Sequence, residues 1–163
     1  MLRAFAIVIL GLSVSLAAHA AEMRGKVIRI SDGDTLTILL ECAELDVPVR
    51  LAGIDAPEKK MPFGNVAKQS LADLAFGKWV VVVWHEKDGY GRVVGKVIAG
   101  GRDVALEQLR RGLAWHYKAY APRQPAADRE AYSAAEASAK AVAAGLWRDR
   151  NPTPPWEWRR NRH

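Results

Sequence analysis

The chain is poor in cysteine, and this shortage excludes one class of protein. Cys42 is the only cysteine among 163 residues, so no intramolecular disulfide can form and a disulfide-stapled scaffold is excluded. We expect Cys42 to be a small buried apolar residue rather than a reactive thiol. Stability must come from a packed hydrophobic core, which a chain of this length can build as one domain.

Long apolar runs are also scarce, and the longest lies in the first 20 residues. Arg3 gives a short basic start, residues 4–17 are largely apolar, and Ala18-His19-Ala20 has the small-x-small pattern of a cleavage site. The run is shorter than the roughly 20 residues that a membrane-spanning helix needs. The pattern predicts a signal peptide over residues 1–20, and hence a periplasmic or secreted protein.

The formal net charge is +6, and its distribution is uneven. Residues 148–163 contain five arginines and two acidic residues, together with Trp156 and Trp158. Arginines attract phosphates and indoles stack or lie at interfaces, which suits nucleic acid or an anionic surface. Three prolines in the same segment favour a disordered, solubilising tail. We expect a basic, disordered tail that makes at most weak contact with an anionic surface.

Five segments with strand-like apolar patterns predict β-strands, and one with apolar residues at spacings of three and four predicts an amphipathic α-helix. Terminal residues and an alanine-rich stretch predict two more helices. The strand segments are "KVIRI", "TLTILL", "VPVRLAGI", "KWVVVVW" and "RVVGKVI", and the helices lie near residues 63–75, 104–111 and 125–144. Asp103 is placed to cap the second helix. This order predicts an α+β fold, a five-stranded Greek-key barrel of the OB type with three α-helices, whose face commonly binds oligonucleotides.

Carboxylates cluster where two of the predicted strands begin and end. The stretch "RLAGIDAPE", residues 50–58, starts as a strand and ends with Asp55 and Glu58, and the hairpin "DGDT" supplies Asp34. If these strands are neighbours, Asp34 and Asp55 converge, and two carboxylates repel unless a cation lies between them. Ligands made only of oxygen favour Ca²⁺ or Mg²⁺ over zinc. The pattern therefore favours a site for a hard metal ion.

Two arginines complete the constellation. Arg50 lies on the strand before Asp55, and Arg92 follows the hairpin "DGYG". A divalent cation with two guanidinium groups stabilises charge on phosphoryl oxygens, and Glu58 could orient or deprotonate a water. Each residue alone has a structural explanation, such as a hairpin turn or a solvated surface charge. Their conjunction favours phosphodiester hydrolysis.

These motifs carry a family resemblance. "ISDGDT", "RLAGIDAPE", "DGYGR", "GLAW" and "GLW" follow one another in this order, and residues 24–147 together resemble the thermonuclease family, the relatives of staphylococcal nuclease. The resemblance implies an OB-fold domain over these residues and a Ca²⁺-dependent nuclease that cleaves DNA and RNA to leave 3′-phosphate ends. It implies no obligate protein partner, and we expect a monomer.

The resemblance also assigns roles to individual residues. Asp34 and Asp55 correspond to the calcium carboxylates of the family, with the backbone carbonyl of Ala56 as a further ligand. Arg50 and Arg92 correspond to the arginines that contact the phosphate and stabilise the transition state. The carbonyl ligand tolerates alanine where the type member has threonine.

Three further positions follow from the same comparison of motifs. Glu58 corresponds to the proposed general base, whose role as base or as water-orienting group is disputed in the family. Tyr117 and Tyr120 lie near the nucleotide-side tyrosines, although ungapped counting places Lys118 at one of these positions. The segment over residues 59–65 is shorter than in the type member, so no nucleotide contact is assigned to it.

Two other functions remain open from the sequence. A non-catalytic OB module that binds nucleic acid would keep the barrel, but the acidic and basic set is complete here. An envelope-associated interaction protein would use the tail around Trp156 and Trp158 on anionic lipid. Chelator-controlled digestion separates the first from a nuclease, and truncation after Trp147 tests the second.

Overall fold

A computed structural model describes residues 21–161, with the backbone alone at His85. The predicted signal peptide, residues 1–20, lies outside the described residues. No helix in the described part of the chain is long and apolar enough to cross a membrane. The strands are β1 (Ala21–Ile30), β2 (Thr35–Leu40), β3 (Asp46–Leu51), β4 (Ile54–Asp55), β5 (Trp79–Lys87), β6 (Val93–Ala99), β7 (Arg102–Asp103) and β8 (Trp115–His116). The α-helices are α1 (Gly64–Ala75), α2 (Val104–Arg110), α3 (Ala126–Ala141) and α4 (Pro155–Arg160), and two 3-10 helices span Lys118–Arg123 and Gly145–Arg148.

The five long strands form a closed barrel. Their hydrogen-bonded order is β3-β2-β1-β5-β6, and β3 also pairs in parallel with β6, which closes the sheet on itself. Apolar residues fill the interior, and Leu36, Ile38, Val49 and Val82 are fully buried there. This confirms the prediction of a five-stranded OB barrel.

Three of the four α-helices lie close to the ranges that the sequence predicts. Asp103 caps α2 as expected, since its Oδ1 accepts hydrogen bonds from the backbone N–H groups of Ala105 and Leu106 at 3.0 and 3.2 Å. Helix α1 packs on the barrel through buried residues such as Leu71. The apolar face of α1 made that helix visible in the sequence, and terminal residues and alanine content made the other two visible.

The fourth helix, α4, differs from the expectation of a disordered tail. Pro155 is its first residue and is buried, and the Trp156 ring packs edge-on against Trp115 with centroids 6.4 Å apart. Proline favours the first turn of a helix, where its missing N–H costs nothing. The prolines that suggested disorder thus help to start a helix, which an aromatic side chain anchors to the domain.

Cys42 also differs from the expectation, because it is exposed rather than buried. Strand β2 ends at Leu40, and Cys42 lies in the turn that leads to β3. A residue beyond the end of the strand has no core face to occupy. The thiol therefore contributes nothing to the packing of the barrel.

Candidate active site

Strand pairing brings the predicted acidic residues to one end of the barrel. Strands β2 and β3 run antiparallel and pair Thr35 with Arg50, so the turn before β2 lies beside the end of β3. The backbone N–H of Leu51 donates to the carbonyl oxygen of Asp34 at 2.8 Å, which fixes this turn against β3. The chain then passes through β4, where Asp55 lies. Asp34 and Asp55 therefore approach one another across the end of the sheet.

Arg50 lies between the two aspartates. Its Nη1 donates to Asp34 Oδ1 and its Nη2 to Asp55 Oδ1, both at 2.8 Å. The Oδ2 atom of Asp34 accepts the backbone N–H of Ala56 at 2.8 Å. Asp34 is 3% exposed and Asp55 is fully buried, so water contributes little to their solvation. The guanidinium group therefore supplies the charge that compensates this buried acid pair.

The electrostatics of the acid pair favour a cation. Burial raises the pKa of Asp34, and the negative charges of Asp32 and Asp55 raise it further, whereas Arg50 opposes the shift. Burial alone would lower the pKa of Arg50, but the two aspartates raise it. Each change follows from placing like charges together away from water. Additional positive charge at this place would stabilise the ionised form of both acids.

Glu58 lies at the rim of the same site and is half-buried. A turn over residues 58–61 holds its backbone, since the N–H of Met61 donates to the Glu58 carbonyl oxygen at 2.8 Å. Its side chain pairs with Arg159 of α4, whose Nη1 lies 2.7 Å from Glu58 Oε1. The Nη2 atom of Arg159 lies 2.7 Å from Asp55 Oδ2. Arg159 thus links Glu58 to the acid pair.

Arg92 is held by the hairpin between β5 and β6. Its Nε and Nη2 atoms both lie 2.7 Å from Asp88 Oδ2. Burial works against ionisation of Asp88, but hydrogen bonds from the side chain and backbone of Arg92 and from the backbone N–H of Tyr90 lower its pKa. The Nη1 atom of Arg92 lies 3.4 Å from Thr35 Oγ1, beside Asp34. The hairpin turn that carries Asp88 therefore orients the Arg92 guanidinium toward the acid pair.

A cleft of about 860 Å³ opens over these groups. The tyrosines line one wall: the Tyr117 ring packs at 5.7 Å from Trp156, and the Arg123 guanidinium lies 5.7 Å from the Tyr120 ring. Burial raises the pKa of Tyr120, as does the nearby Glu86. The cleft is lined by every predicted site residue except the buried Asp55: Asp34, Arg50, Ala56, Glu58, Arg92, Tyr117 and Tyr120. The structure thus brings the predicted set together in one place, and the roles of its members stay predictions.

Comparison with known proteins decides the family. A sequence model of the family described as staphylococcal nuclease homologue matches residues 48–149, more than half of the chain. The chain belongs to the staphylococcal nuclease homologue family. The resemblance read from the motifs is therefore confirmed.

Relatives within this family cover the chain to different extents. The micrococcal nuclease of Shigella flexneri is 41% identical over 168 aligned positions, which cover 98% of this chain and 92% of the relative. An uncharacterized endonuclease of Haemophilus influenzae is 42% identical over 135 positions, 83% of this chain and 72% of the relative. A staphylococcal-like nuclease of Arabidopsis thaliana is 45% identical over 114 positions, but the match covers only 33% of that plant protein.

The donor atoms of this staphylococcal nuclease homologue fit a hard metal ion. Asp34 and Asp55 offer carboxylate oxygens, and Ala56 between Asp55 and Glu58 offers a backbone carbonyl. The residues that the structure describes contain no cluster of three or more His, Cys, Asp or Glu side chains placed to hold a metal. Ca²⁺ takes six to eight oxygen ligands and accepts carbonyl and water oxygens. The two aspartates would therefore need such neutral oxygens to complete a calcium site.

Sequence analysis missed Arg159 as a site residue. The segment "WEWRR" shows only that the tail is basic and aromatic, and no spacing pattern distinguishes Arg159 from Arg160. Burial would lower the pKa of Arg159, but its hydrogen bonds to Asp55 and Glu58 raise it well above the ordinary value. The signal lies in the fold: only the docking of α4 shows which arginine reaches the cleft.

Proposed function

We propose that the protein is an exported Ca²⁺-dependent endonuclease that hydrolyses the phosphodiester bonds of DNA and RNA and leaves 3′-phosphate ends. Family membership and relatives named as nucleases support a hydrolase that acts on nucleic acid. The observation that carries the proposal is the pair of Asp34 and Asp55, bridged by Arg50, beside a cleft that Asp34, Glu58 and Arg92 line. No obligate protein partner is proposed.

The acid pair would hold the metal. Asp34, Asp55 and the Ala56 carbonyl supply the oxygen ligands. A bound calcium ion would contribute positive charge near a phosphoryl oxygen, where charge builds as water attacks. Both carboxylates are buried, and hydrogen bonds from Arg50 and from the Ala56 N–H hold them in place. Loss of either carboxylate would weaken metal binding.

The other residues act on the phosphate and on water. Arg50 and Arg92 donate hydrogen bonds to phosphoryl oxygens, which stabilises the charge of the transition state. Glu58 orients a water molecule and accepts its proton as the new P–O bond forms. The bond from phosphorus to the 5′ oxygen breaks, and that oxygen takes a proton from solvent. The products are a 3′-phosphate and a 5′-hydroxyl.

Export and substrate contact complete the proposal. The signal peptide predicted over residues 1–20 would direct the protein to the periplasm or the medium. Tyr117 and Tyr120 lie on the cleft wall, where aromatic rings can stack on bases or sugars of a single strand. Such stacking tolerates any base, which suits cleavage of both DNA and RNA.

Removal of the metal tests the function. We expect the mature protein to digest plasmid DNA and RNA in Ca²⁺, and to lose at least about 100-fold in rate in excess chelator, because charge on phosphoryl oxygens then lacks its cation. Product ends should resist extension by a polymerase until a phosphatase removes the 3′-phosphate. Binding to nucleic acid that survives chelator, without cleavage under any divalent ion, would instead favour the non-catalytic OB module.

The position of Glu58 can be tested through Gly64. A Cβ at Gly64 would overlap the carbonyl oxygen of Glu58, so Gly64→Ala must shift the backbone that carries Glu58. We expect turnover to fall by about 10- to 100-fold, since small displacements of a reacting group cost this much. Steady-state kinetics on DNA and urea unfolding measure the two effects. The control is Asn65→Ala, an exposed change on the same helix, and unchanged turnover in Gly64→Ala would contradict a role for Glu58 in the chemistry.

A further inference from the structure

Within residues 21–161, one oxygen of the acid pair accepts no hydrogen bond from the barrel strands or their turns, and Arg159 bonds this oxygen. Arg50 bonds one oxygen of each aspartate, and the Ala56 N–H bonds Asp34 Oδ2. The fourth oxygen, Asp55 Oδ2, is bonded by Arg159 from α4. Asp55 and Arg159 are 104 residues apart in sequence. Helix α4 thus supplies a side chain to the lining of the cleft.

The packing of α4 fixes this arrangement. Trp156 lies one helical turn before Arg159 and contacts both Trp115 and Tyr117. Tyr117 is itself a residue of the cleft wall. The same helix therefore extends the wall and delivers the arginine. This continuity indicates that α4 is part of the cleft rather than an appendage of the domain.

Three guanidinium groups bond the acid pair or its neighbour Thr35, and Arg159 is the most accessible of these three. Its side chain is 43% exposed, against 20% for Arg50 and 25% for Arg92. Arg50 is held by two buried acids, and Arg92 by the turn that carries Asp88. Arg159 can therefore turn toward a ligand in the cleft at the smallest cost in desolvation and lost packing.

A cleft that binds a polyanion needs a net positive charge, and Arg159 supplies it. Asp34, Asp55 and Glu58 bring three negative charges close to the place where a polyanion must bind. Arg50 and a divalent cation would only neutralise these three charges. The other charges that line the cleft also sum to zero, since Asp32, Glu86 and Asp88 balance Lys87, Arg92 and Arg123. The charge of Arg159 would make the loaded cleft net positive. A phosphate backbone then meets attraction rather than neutrality.

We propose that Arg159 is a third substrate-binding arginine, which α4 delivers to the cleft to contact the phosphate backbone of the nucleic acid. In the free protein it neutralises Asp55 and Glu58. When a cation occupies the acid pair, the guanidinium turns its N–H groups to a phosphate next to the bond that is cut. The choice of nucleic acid as the ligand rests on the proposed function. The test does not, because it measures binding rather than cleavage.

The test measures binding without cleavage. A fluorescent phosphorothioate oligothymidine, which resists hydrolysis, is titrated with the mature protein in Ca²⁺ at several salt concentrations. We expect Arg159→Ala to raise Kd by about tenfold, as loss of one charged hydrogen bond to phosphate does. The slope of log Kd against log salt should fall by about 0.7, the value for one phosphate contact on a single strand. Arg159→Gln should behave like Arg159→Ala, and it keeps more of the side-chain packing.

The matched control is Arg160→Ala, an exposed arginine that follows Arg159 in the same helix. It removes the same charge, and we expect Kd to change by less than about threefold. Circular dichroism and urea unfolding check that each variant is folded. If Arg159→Ala and Arg160→Ala give the same Kd and the same salt slope, the proposal is overturned.

The main alternative is that Arg159 only competes with the metal for the acid pair. Calorimetric titration of the same variants with Ca²⁺ distinguishes this alternative from the proposal. If Arg159→Ala binds Ca²⁺ more tightly and the oligonucleotide no more weakly, Arg159 is a competitor of the metal, and the proposal is overturned. A wild-type protein that binds the oligonucleotide but never cuts ordinary DNA or RNA would end the nuclease proposal. The comparison of Arg159→Ala with Arg160→Ala would then still decide the role of Arg159.

Discussion

Replacing Arg92 by alanine is expected to lower turnover by about 10³-fold or more while the protein stays folded. The guanidinium would stabilise charge that develops on the phosphoryl oxygens, so its loss acts on the transition state. Its short hydrogen bond in the free protein is to Asp88 in its own hairpin, and its contact with Thr35 is a long 3.4 Å. Single-turnover rates on DNA and urea unfolding measure chemistry and stability separately.

A matched change shows whether the effect belongs to the site. Arg110 is an exposed arginine on α2 that pairs with Glu107 one helical turn away, so Arg110→Ala removes the same charge and a similar ion pair. We expect its turnover to stay within about twofold of the wild type. A loss below tenfold in Arg92→Ala would show that Arg92 does not contact the reacting phosphate.

Replacing Gln108 by leucine is expected to destabilise the fold by about 3 kcal/mol. Gln108 is fully buried, and its amide donates to the carbonyl oxygens of Gly33 and Ala67 at 2.7 and 2.9 Å. Its Oε1 accepts the Ser70 hydroxyl at 2.6 Å. Leucine has a similar volume, so the loss comes from buried polar groups left without partners rather than from a cavity. The free energy of unfolding in urea gives the value.

The exposed Gln69 provides the comparison. It lies on α1 and bonds Asp73 on the surface, so Gln69→Leu should change the free energy of unfolding by no more than about 0.5 kcal/mol. Gln108 also holds Gly33, the residue before Asp34, and we expect Gln108→Leu to weaken Ca²⁺ binding as well. Equal stability of the two variants would contradict the view that this amide ties α2 to the acidic turn.

The fold was predictable because its signals are local and repeated. Alternating apolar residues indicated the first three barrel strands, and apolar runs on either side of the Asp88-Gly89 turn indicated the last two. Spacings of three and four indicated α1, whereas terminal residues and alanine content indicated α2 and α3. Asp103 was recognisable as a cap from its place before an apolar helix. The family motifs gave the set of acids and arginines because each motif occupies one short turn or strand end. Once the barrel strands pair, the acids and arginines of these motifs lie close together.

Features that depend on long-range contacts were not predictable. Gln108 resembles any polar residue on a helix, and only the approach of α1 and the acidic turn shows that it is buried. Arg159 meets Glu58 across 101 residues of sequence. Its contact depends on the packing of Trp156 against Trp115 and Tyr117, which a pattern of neighbouring residues does not show. The exposure of Cys42 depends on where β2 ends, which propensity fixes only to within a few residues.

The exposed thiol of Cys42 has a practical consequence. Cys42 follows the end of β2 that is remote from Asp34, a strand length of roughly 17 Å away. A maleimide dye would therefore attach at one defined place without a preparatory substitution and outside the cleft. Energy transfer from such a label to a fluorophore on an oligonucleotide would report the direction in which a strand lies across the barrel.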